Sequence, residues 1–250
     1  MSSSRTRSTT AGPEEVLRAV RAAFEHDPRI NLHAYPIEMA YQDEVLTLEG
    51  EVENVAAKKR AMSAAIAVPG VRGIVDRLHV VPATRMGDGA ILDAVRDALL
   101  EEEVLRYCAL AVVRKGSREV VRAAATPMSG SILVSVSDGV VWLDDHVTSV
   151  GQKQLAGVLA WWVPGSRDVV NGMAVEPASE LSDRELAKMV RYVLEKDRLV
   201  KADAIRVDAR DALVTLEGDV PTEAQREMAE CDAWYVFGVD RIVNRLIVRP

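Results

Sequence analysis

The chain repeats one pattern three times, and this repetition constrains its fold more than any other feature. The segment Val45–Val52, VLTLEGEV, returns as Leu213–Val220, LVTLEGDV, and more loosely as Val140–Val147, VVWLDDHV. In every copy a step of 20 residues leads from the central leucine of this segment to a valine, and each copy ends on Val-x-Pro. Spacing that is kept without gaps over three copies predicts three tandem structural units.

Each unit combines a helical and a strand periodicity. In the first unit, Val16, Val20 and Phe24 recur at helical spacing, whereas Leu46 and Leu48 alternate with polar residues as in a half-buried strand. An alanine-rich helix and a final strand follow. The pattern predicts an α+β fold of three tandem αββαβ units, each a small mixed sheet with two helices on one face. The boundaries we expect are a disordered tail 1–13, units 14–83, 84–178 and 179–250, and an insertion 106–131 in the second unit.

The order of these segments resembles a known module. A helix, a V-x-L-x-G-x-V strand, an alanine-rich helix, a glycine turn and a V-x-N/D-x-L-x-V strand are similar to the BON domain, the bacterial osmotic-stress and nodulation module. The third unit carries the pattern most fully, between Leu213 and Val248, and the second departs most, with Asp145 in place of Gly50 and Gly218. The resemblance implies an interaction module for phospholipid surfaces or envelope proteins and no catalytic residues. Potassium binding, as in a cytoplasmic relative with this domain, is the alternative it implies.

Composition argues against several function classes. The net charge is −7, since each of the three units carries −3 and Arg5 and Arg7 of the tail add +2, so bulk charge provides no attraction to nucleic acid or anionic lipid. Cys108 and Cys231 form no metal-binding pair and fit a reducing compartment. The N-terminus lacks the apolar stretch of a secretion signal, and no apolar run reaches the ~18 residues of a membrane span. We therefore expect a cytoplasmic protein that binds no nucleic acid and has no transmembrane segment, and the resemblance to the BON domain implies a bacterial source.

Aromatic residues at the end of the second helix distinguish the units. Trp161 and Trp234 occupy the repeat position of Ile66, which predicts core packing there. Trp162 and Tyr235 replace a small alanine of the first unit. We interpret this pair as packing between units, with a membrane interface or a partner as the alternative.

The second unit carries the remaining candidate surface. Trp142 falls on the outward face of a strand, where the other units have threonine, so we expect the insertion, another unit or a second chain to cover it. The insertion reads as a β-hairpin with a glycine turn, or as one strand and a loop, and it is locally basic. The candidate interaction surface therefore comprises Trp142, Trp162, Tyr235, Arg114, Lys115 and Arg118.

The chain contains one close acid and histidine cluster, Asp144-Asp145-His146. A metal or catalytic site needs further ligands that the nearby sequence does not supply, so we interpret the cluster as solvated charges at a strand end. We predict no catalytic residues, no bound metal and no cofactor. The favoured function is a non-enzymatic scaffold of the envelope or osmotic-stress response that binds a protein partner or phospholipid. A potassium or other cation sensor is the alternative, and an enzyme with a site at a repeat junction is the least favoured.

Overall fold

The computed structural model describes residues 12–126, 128–179 and 181–249. The chain divides into two compact bodies, an N-terminal body that ends at Val81 and a C-terminal body that begins at Pro82. The first repeat forms the N-terminal body, and the second and third repeats together form the C-terminal body. The predicted tail lies outside the described residues except for Gly12 and Pro13, and Pro13 is already the first residue of a helix.

The first repeat has the predicted order of elements. Because Asn54 accepts a hydrogen bond from the Ala57 amide at 2.9 Å, it caps the second helix at its N-terminus. The first two strands pair antiparallel, and the third returns parallel to the second after a helical crossover. The elements are α1 (Pro13–His26), β1 (Ile37–Gln42), β2 (Val45–Val52), α2 (Val55–Ile66) and β3 (Gly73–Val80), with sheet order β1-β2-β3.

The third repeat has the same topology as the first. A capping box opens its first helix, since Ser182 and Glu185 each accept a hydrogen bond from the other's backbone amide. Its elements are α5 (Asp183–Lys196), β10 (Ile205–Arg210), β11 (Leu213–Val220), α6 (Glu223–Tyr235) and β12 (Arg241–Val248), in a sheet of order β10-β11-β12.

The second repeat is enlarged by its insertion, which is a β-hairpin. The hairpin pairs in parallel with the first strand of the repeat, so a six-stranded sheet of order β5-β4-β6-β7-β8 results, with β9 also paired to β7. The final strand, predicted as continuous, is divided at Gly172 and Met173, and the Met173 side chain is fully buried. The elements are α3 (Asp88–Glu101), β4 (Ala109–Arg114), β5 (Ser117–Arg122), β6 (Ser131–Ser137), β7 (Val140–Val147), α4 (Val150–Trp161), β8 (Asp168–Asn171) and β9 (Ala174–Val175).

A strand glycine of the repeat motif is required by a close backbone approach. Gly50 and Gly218 have φ values of +141° and +138°, and a Cβ on them would lie 2.8 and 1.9 Å from the carbonyl oxygens of Pro36 and Ala204. Asp145, which replaces this glycine in the second repeat, also has a positive φ, +83°. The glycine of the motif is therefore explained by a backbone conformation that residues with a Cβ atom rarely adopt.

The Asp or Asn of the final strand fastens that strand to the second helix. Asp76 forms an ion pair with the Lys58 ammonium at 2.9 Å. Asn171 and Asn244 stand at the same position and donate to helix carbonyls, those of Lys153 at 2.7 Å and Arg226 at 3.1 Å. All three side chains therefore hold strand and helix together, which explains why the repeat pattern keeps an amide or a carboxylate there.

The helices of every repeat lie on one face of its sheet and bury the apolar side chains of the strands. In the second repeat Val141 and Leu143 are fully buried on this inner face, and Ile91 and Leu155 pack on them from α3 and α4. Over the described residues, no helix has both the length and the apolar character needed to cross a bilayer.

Candidate interaction surfaces

The sheet of the second repeat presents an open outer face. Side chains alternate along β7, so Trp142 points away from the helices, opposite to its neighbours Val141 and Leu143. Trp142 is 42% exposed. Its cross-strand neighbours are Ser135 and Val170. The inserted hairpin widens the same sheet on the far side of β6, and Trp142 stays partly exposed.

The outer face is apolar over several strands. Val120 on the hairpin is 66% exposed, and its cross-strand partner is Ala111. Ala111 is in turn paired with Leu133, which lies next to Asp144 on β7. A strip of mostly apolar side chains therefore runs from Val120 at the edge of the sheet to Leu133, and the polar residues Ser135 and Asp144 lie between it and Trp142. We call this side of the sheet, with Val120, Leu133, Trp142 and Val170 as its main apolar members, the outer face.

The basic residues of the hairpin are largely neutralised by acidic neighbours. Arg114 bonds Asp93 and approaches Glu119 at 3.7 Å, and the Arg114 guanidinium is the main factor that lowers the pKa of Asp93. Arg118 lies 3.7 Å from Asp145. Lys115 occupies the turn with Gly116, and both residues have positive φ. These residues form a mixed, charge-balanced rim and not a cationic patch.

The acid and histidine cluster lies at the end of the same strand. His146 Nδ1 is 2.8 Å from the Asp145 carboxylate. Burial acts to raise the pKa of Asp145, but hydrogen bonds from Ser131 and His146 and the charge of Arg118 outweigh it, so the pKa is lowered. Asp144 is exposed. Among the described residues, no three His, Cys, Asp or Glu side chains converge as a metal site requires.

Trp162 and Tyr235 lie elsewhere, where the second repeat packs on the third. The Trp162 indole Nε1 donates to Asp232 Oδ1 at 3.0 Å. The Tyr235 ring stacks on Trp161 with centroids 5.5 Å apart. The structure therefore separates these two aromatic residues from Trp142 and the hairpin, so the six candidate residues belong to two different surfaces.

The core position predicted for the end of the second helix is wrong for two repeats. Trp234 is buried, but Ile66 is 48% exposed and Trp161 is half-buried against Tyr235. Trp161 of the second repeat stacks on Tyr235 of the third, so burial at this position depends on a neighbouring repeat. Periodicity within one repeat does not report that neighbour.

Sequence reasoning missed two buried acids at the contact between repeats. Asp232 is 2% exposed, and it stands where the other repeats have Ala64 and Leu159. Glu102, at the end of α3, is 5% exposed and bonds Lys196 of α5 at 2.7 Å. An acid at an otherwise apolar helical position was a readable signal for Asp232. No comparable signal existed for Glu102, because its partner lies 94 residues away.

Comparisons with known proteins agree with the repeat pattern. The profile of the BON domain matches residues 14–82, 109–177 and 182–250. Osmotically-inducible protein Y of Escherichia coli strain K12 is 28% identical over 161 residues, which are 62% of this chain and 68% of that protein.

Two solved structures of CdsD, a structural protein of the type III secretion system of Chlamydia trachomatis, were also found. Each is 12% identical with a TM-score of 0.25, and the matches cover 96% and 94% of this chain and 100% and 92% of the CdsD chains. A TM-score this low does not support a shared overall fold. The three profile matches confirm the expected resemblance, and the chain therefore belongs to the BON domain family.

Proposed function

We propose that this chain is a non-enzymatic interaction protein of the osmotic-stress response and that its outer face binds a protein partner. The stress assignment rests on the similarity to a protein named as osmotically inducible. The exposure of Trp142 on an apolar sheet face carries the binding assignment. Tryptophan is among the residues that most often dominate the binding energy of protein interfaces.

The charges around the outer face favour a protein over an anionic membrane. Protein interfaces combine an apolar centre with a polar rim. Arg114 and Arg118 are both paired with carboxylates, so they provide little net positive charge to attract lipid headgroups. A partner that presents apolar side chains, ringed by charges of both signs, matches this surface.

The experiment places a photo-cross-linking amino acid at position 142 of the full chain, in cells exposed to an osmotic upshift. The matched control carries it at Thr215, the same position of the third repeat. We expect a cross-linked protein only from position 142. The partner is then purified, and Trp142→Thr, which restores the residue of the other repeats, should weaken its binding at least tenfold while the unfolding midpoint stays unchanged.

Two results would contradict the assignment. Equal binding of the partner by Trp142→Thr would exclude the outer face. Sedimentation with phosphatidylglycerol vesicles at physiological salt, lost in Trp142→Thr, would replace the protein by lipid. Potassium sensing and a cytoplasmic location stay predictions; thermal unfolding in potassium against sodium tests the first, because a ligand of the folded state raises the midpoint.

A further inference from the structure

The second and third repeats are joined through their helices. Helix α4 packs on α5 and α6 within the C-terminal body. Besides the bond from Trp162 to Asp232, Gln154 Nε2 donates to the Phe237 carbonyl at 2.7 Å. Glu102, at the end of α3, also forms an ion pair with Lys196 of α5 at 2.7 Å. We call this set of contacts the helical junction.

Asp232 is an unusual residue to place at the centre of the helical junction. Its side chain accepts a single hydrogen bond, from Trp162 to Oδ1, and Oδ2 finds no donor among the described residues. The charged group that acts on its pKa is another carboxylate, Asp197, which raises the pKa both by its charge and by a side-chain hydrogen bond with Asp232. A carboxylate in such a site lacks both solvation and a counter-ion, whereas a neutral carboxylic acid tolerates it.

We propose that the helical junction is a proton-dependent latch, which is tight when Asp232 is protonated and weakens when Asp232 ionises. The latch lies on the helical side of the sheet and does not depend on a partner at the outer face. Its position is specific to one repeat, because Ala64 and Leu159 at the equivalent positions cannot titrate.

The direction of the pH dependence follows from the environment of Asp232. Burial raises the pKa of Asp232 to about 8; the Trp162 bond opposes this shift and Asp197 adds to it. When the junction opens, the carboxyl meets water and its pKa returns toward 3.8. Between pH 3.8 and about pH 8, Asp232 is protonated in the closed junction and ionised in the open one. Each increase of one pH unit therefore lowers the equilibrium constant for closing the junction by up to about tenfold, and this constant stops changing above about pH 8.

Other groups at the helical junction do not compensate Asp232. Lys196 bonds Glu102, and Lys153 lies over the Phe237 ring at 4.5 Å. Tyr235 is a neighbour whose own pKa is raised by burial and then by Cys231, Asp232 and Asp197, so it stays neutral across the same range. The residues that contribute to the pKa of Asp232 thus include Trp162 as a donor and no cation.

Nuclear magnetic resonance of the tryptophan indole groups tests the protonation directly. The full chain has four tryptophans, and Trp162→Phe identifies the Trp162 signal. Because its N–H donates to Asp232, we expect this signal to shift with a midpoint between about pH 7 and 9. In Asp232→Asn the shift should disappear, whereas in Asp144→Asn, which removes an exposed carboxylate, it should persist. A Trp162 signal that stays constant from pH 5 to 10 would overturn the latch.

Urea unfolding tests whether protonation controls the contact. Relative to Asp232→Asn, the unfolding constant of the natural chain should rise by up to about tenfold per pH unit between pH 5 and 8 and then stay level. In Trp162→Ala, which opens the junction around Asp232, this dependence should be largely lost. If it persists there, the carboxyl is buried by the third repeat alone and the latch is refuted. If Asp232→Asn does not fold, the indole titration and the Trp162→Ala comparison still decide.

Discussion

The ion pair between α2 and β3 in the first repeat allows a quantitative test of how the repeats are held together. The Lys58 side chain is only 6% exposed, yet it carries a charge. Its ammonium bonds Asp76 at 2.9 Å and the Leu78 carbonyl at 2.7 Å. Asp76 also accepts a hydrogen bond from the Leu78 amide at 3.0 Å. In Asp76→Asn the side chain keeps an acceptor for the Leu78 amide but loses the negative charge that pairs with Lys58.

The loss in the free energy of unfolding depends on how deeply Lys58 and Asp76 are buried. Removing one partner of a fully buried ion pair costs about 3–5 kcal/mol, because the other charge is left unpaired. Here the Asp76 side chain is 28% exposed and Leu78 still accepts a bond from the ammonium, so water and the carbonyl recover part of that cost. We expect a loss of about 2–3 kcal/mol in the free energy of unfolding of the N-terminal body.

Hydrogen exchange followed by mass spectrometry suits the assay, because it reports each body of the full chain separately. A loss of 2–3 kcal/mol should speed exchange of the core amides in α2 and β3 by roughly 30- to 150-fold. Peptides from the C-terminal body, which starts at Pro82, serve as the internal reference and should not change.

The control variant removes the buried charge as well. Lys58→Met with Asp76→Asn should regain most of the lost protection, since an apolar side chain of similar length replaces the ammonium that has lost the Asp76 charge. An Asp76→Asn chain that speeds exchange less than threefold would contradict this prediction, and so would a double variant that exchanges as fast as Asp76→Asn alone. Either result would mean that Lys58 reaches water or another partner at little cost.

Two further substitutions test the repeat motif and the helical junction. Gly218→Ala should lower the free energy of unfolding, measured in urea, by about 2–4 kcal/mol, because its Cβ would collide with the Ala204 carbonyl at a positive φ. Asp145→Gly, at the same position of the second repeat, should change this free energy by less than about 1 kcal/mol. Equal effects would show that φ does not decide this position. Lys196→Met should cost about 3 kcal/mol at pH 7 because it leaves Glu102 buried without its cation, and Lys196→Arg should recover much of it; a neutral Lys196→Met would mean that Glu102 is solvated.

Local signals were sufficient for much of the fold. The αββαβ order of each repeat follows from side-chain periodicities of 3.6 and 2, which are properties of short segments. The glycine turn of the insertion predicted its hairpin, and Lys115 and Gly116 adopt the positive φ values that such a turn needs. The glycine of the strand motif was recognisable as a repeat position before its cause, the approach of Ala204 to Gly218, was known.

Residues of the candidate interaction surface could be identified from the sequence, but not which of them lie together. Trp142 was recognised as outward-facing, and the hairpin lies in the same sheet, but Trp162 and Tyr235 belong to the helical junction. The amino-acid sequence does not show how the environments of the four tryptophans differ. What separates them is the identity of the surface each one meets, and that surface comes from a distant part of the chain.

The repeat number, the order of the elements in a repeat and the apolar face of most elements were predictable from the amino-acid sequence, because each of these depends on residues within one or two turns of a helix or along one strand. Three features depend on packing between distant segments: the insertion pairs with the sheet of its own repeat, Ile66 is exposed while Trp234 is buried, and Asp232 is enclosed at a contact between repeats. A side chain is buried only when a second surface of the protein packs on it. Periodicity shows which side of a helix avoids water, but what covers that side depends on how separate repeats pack.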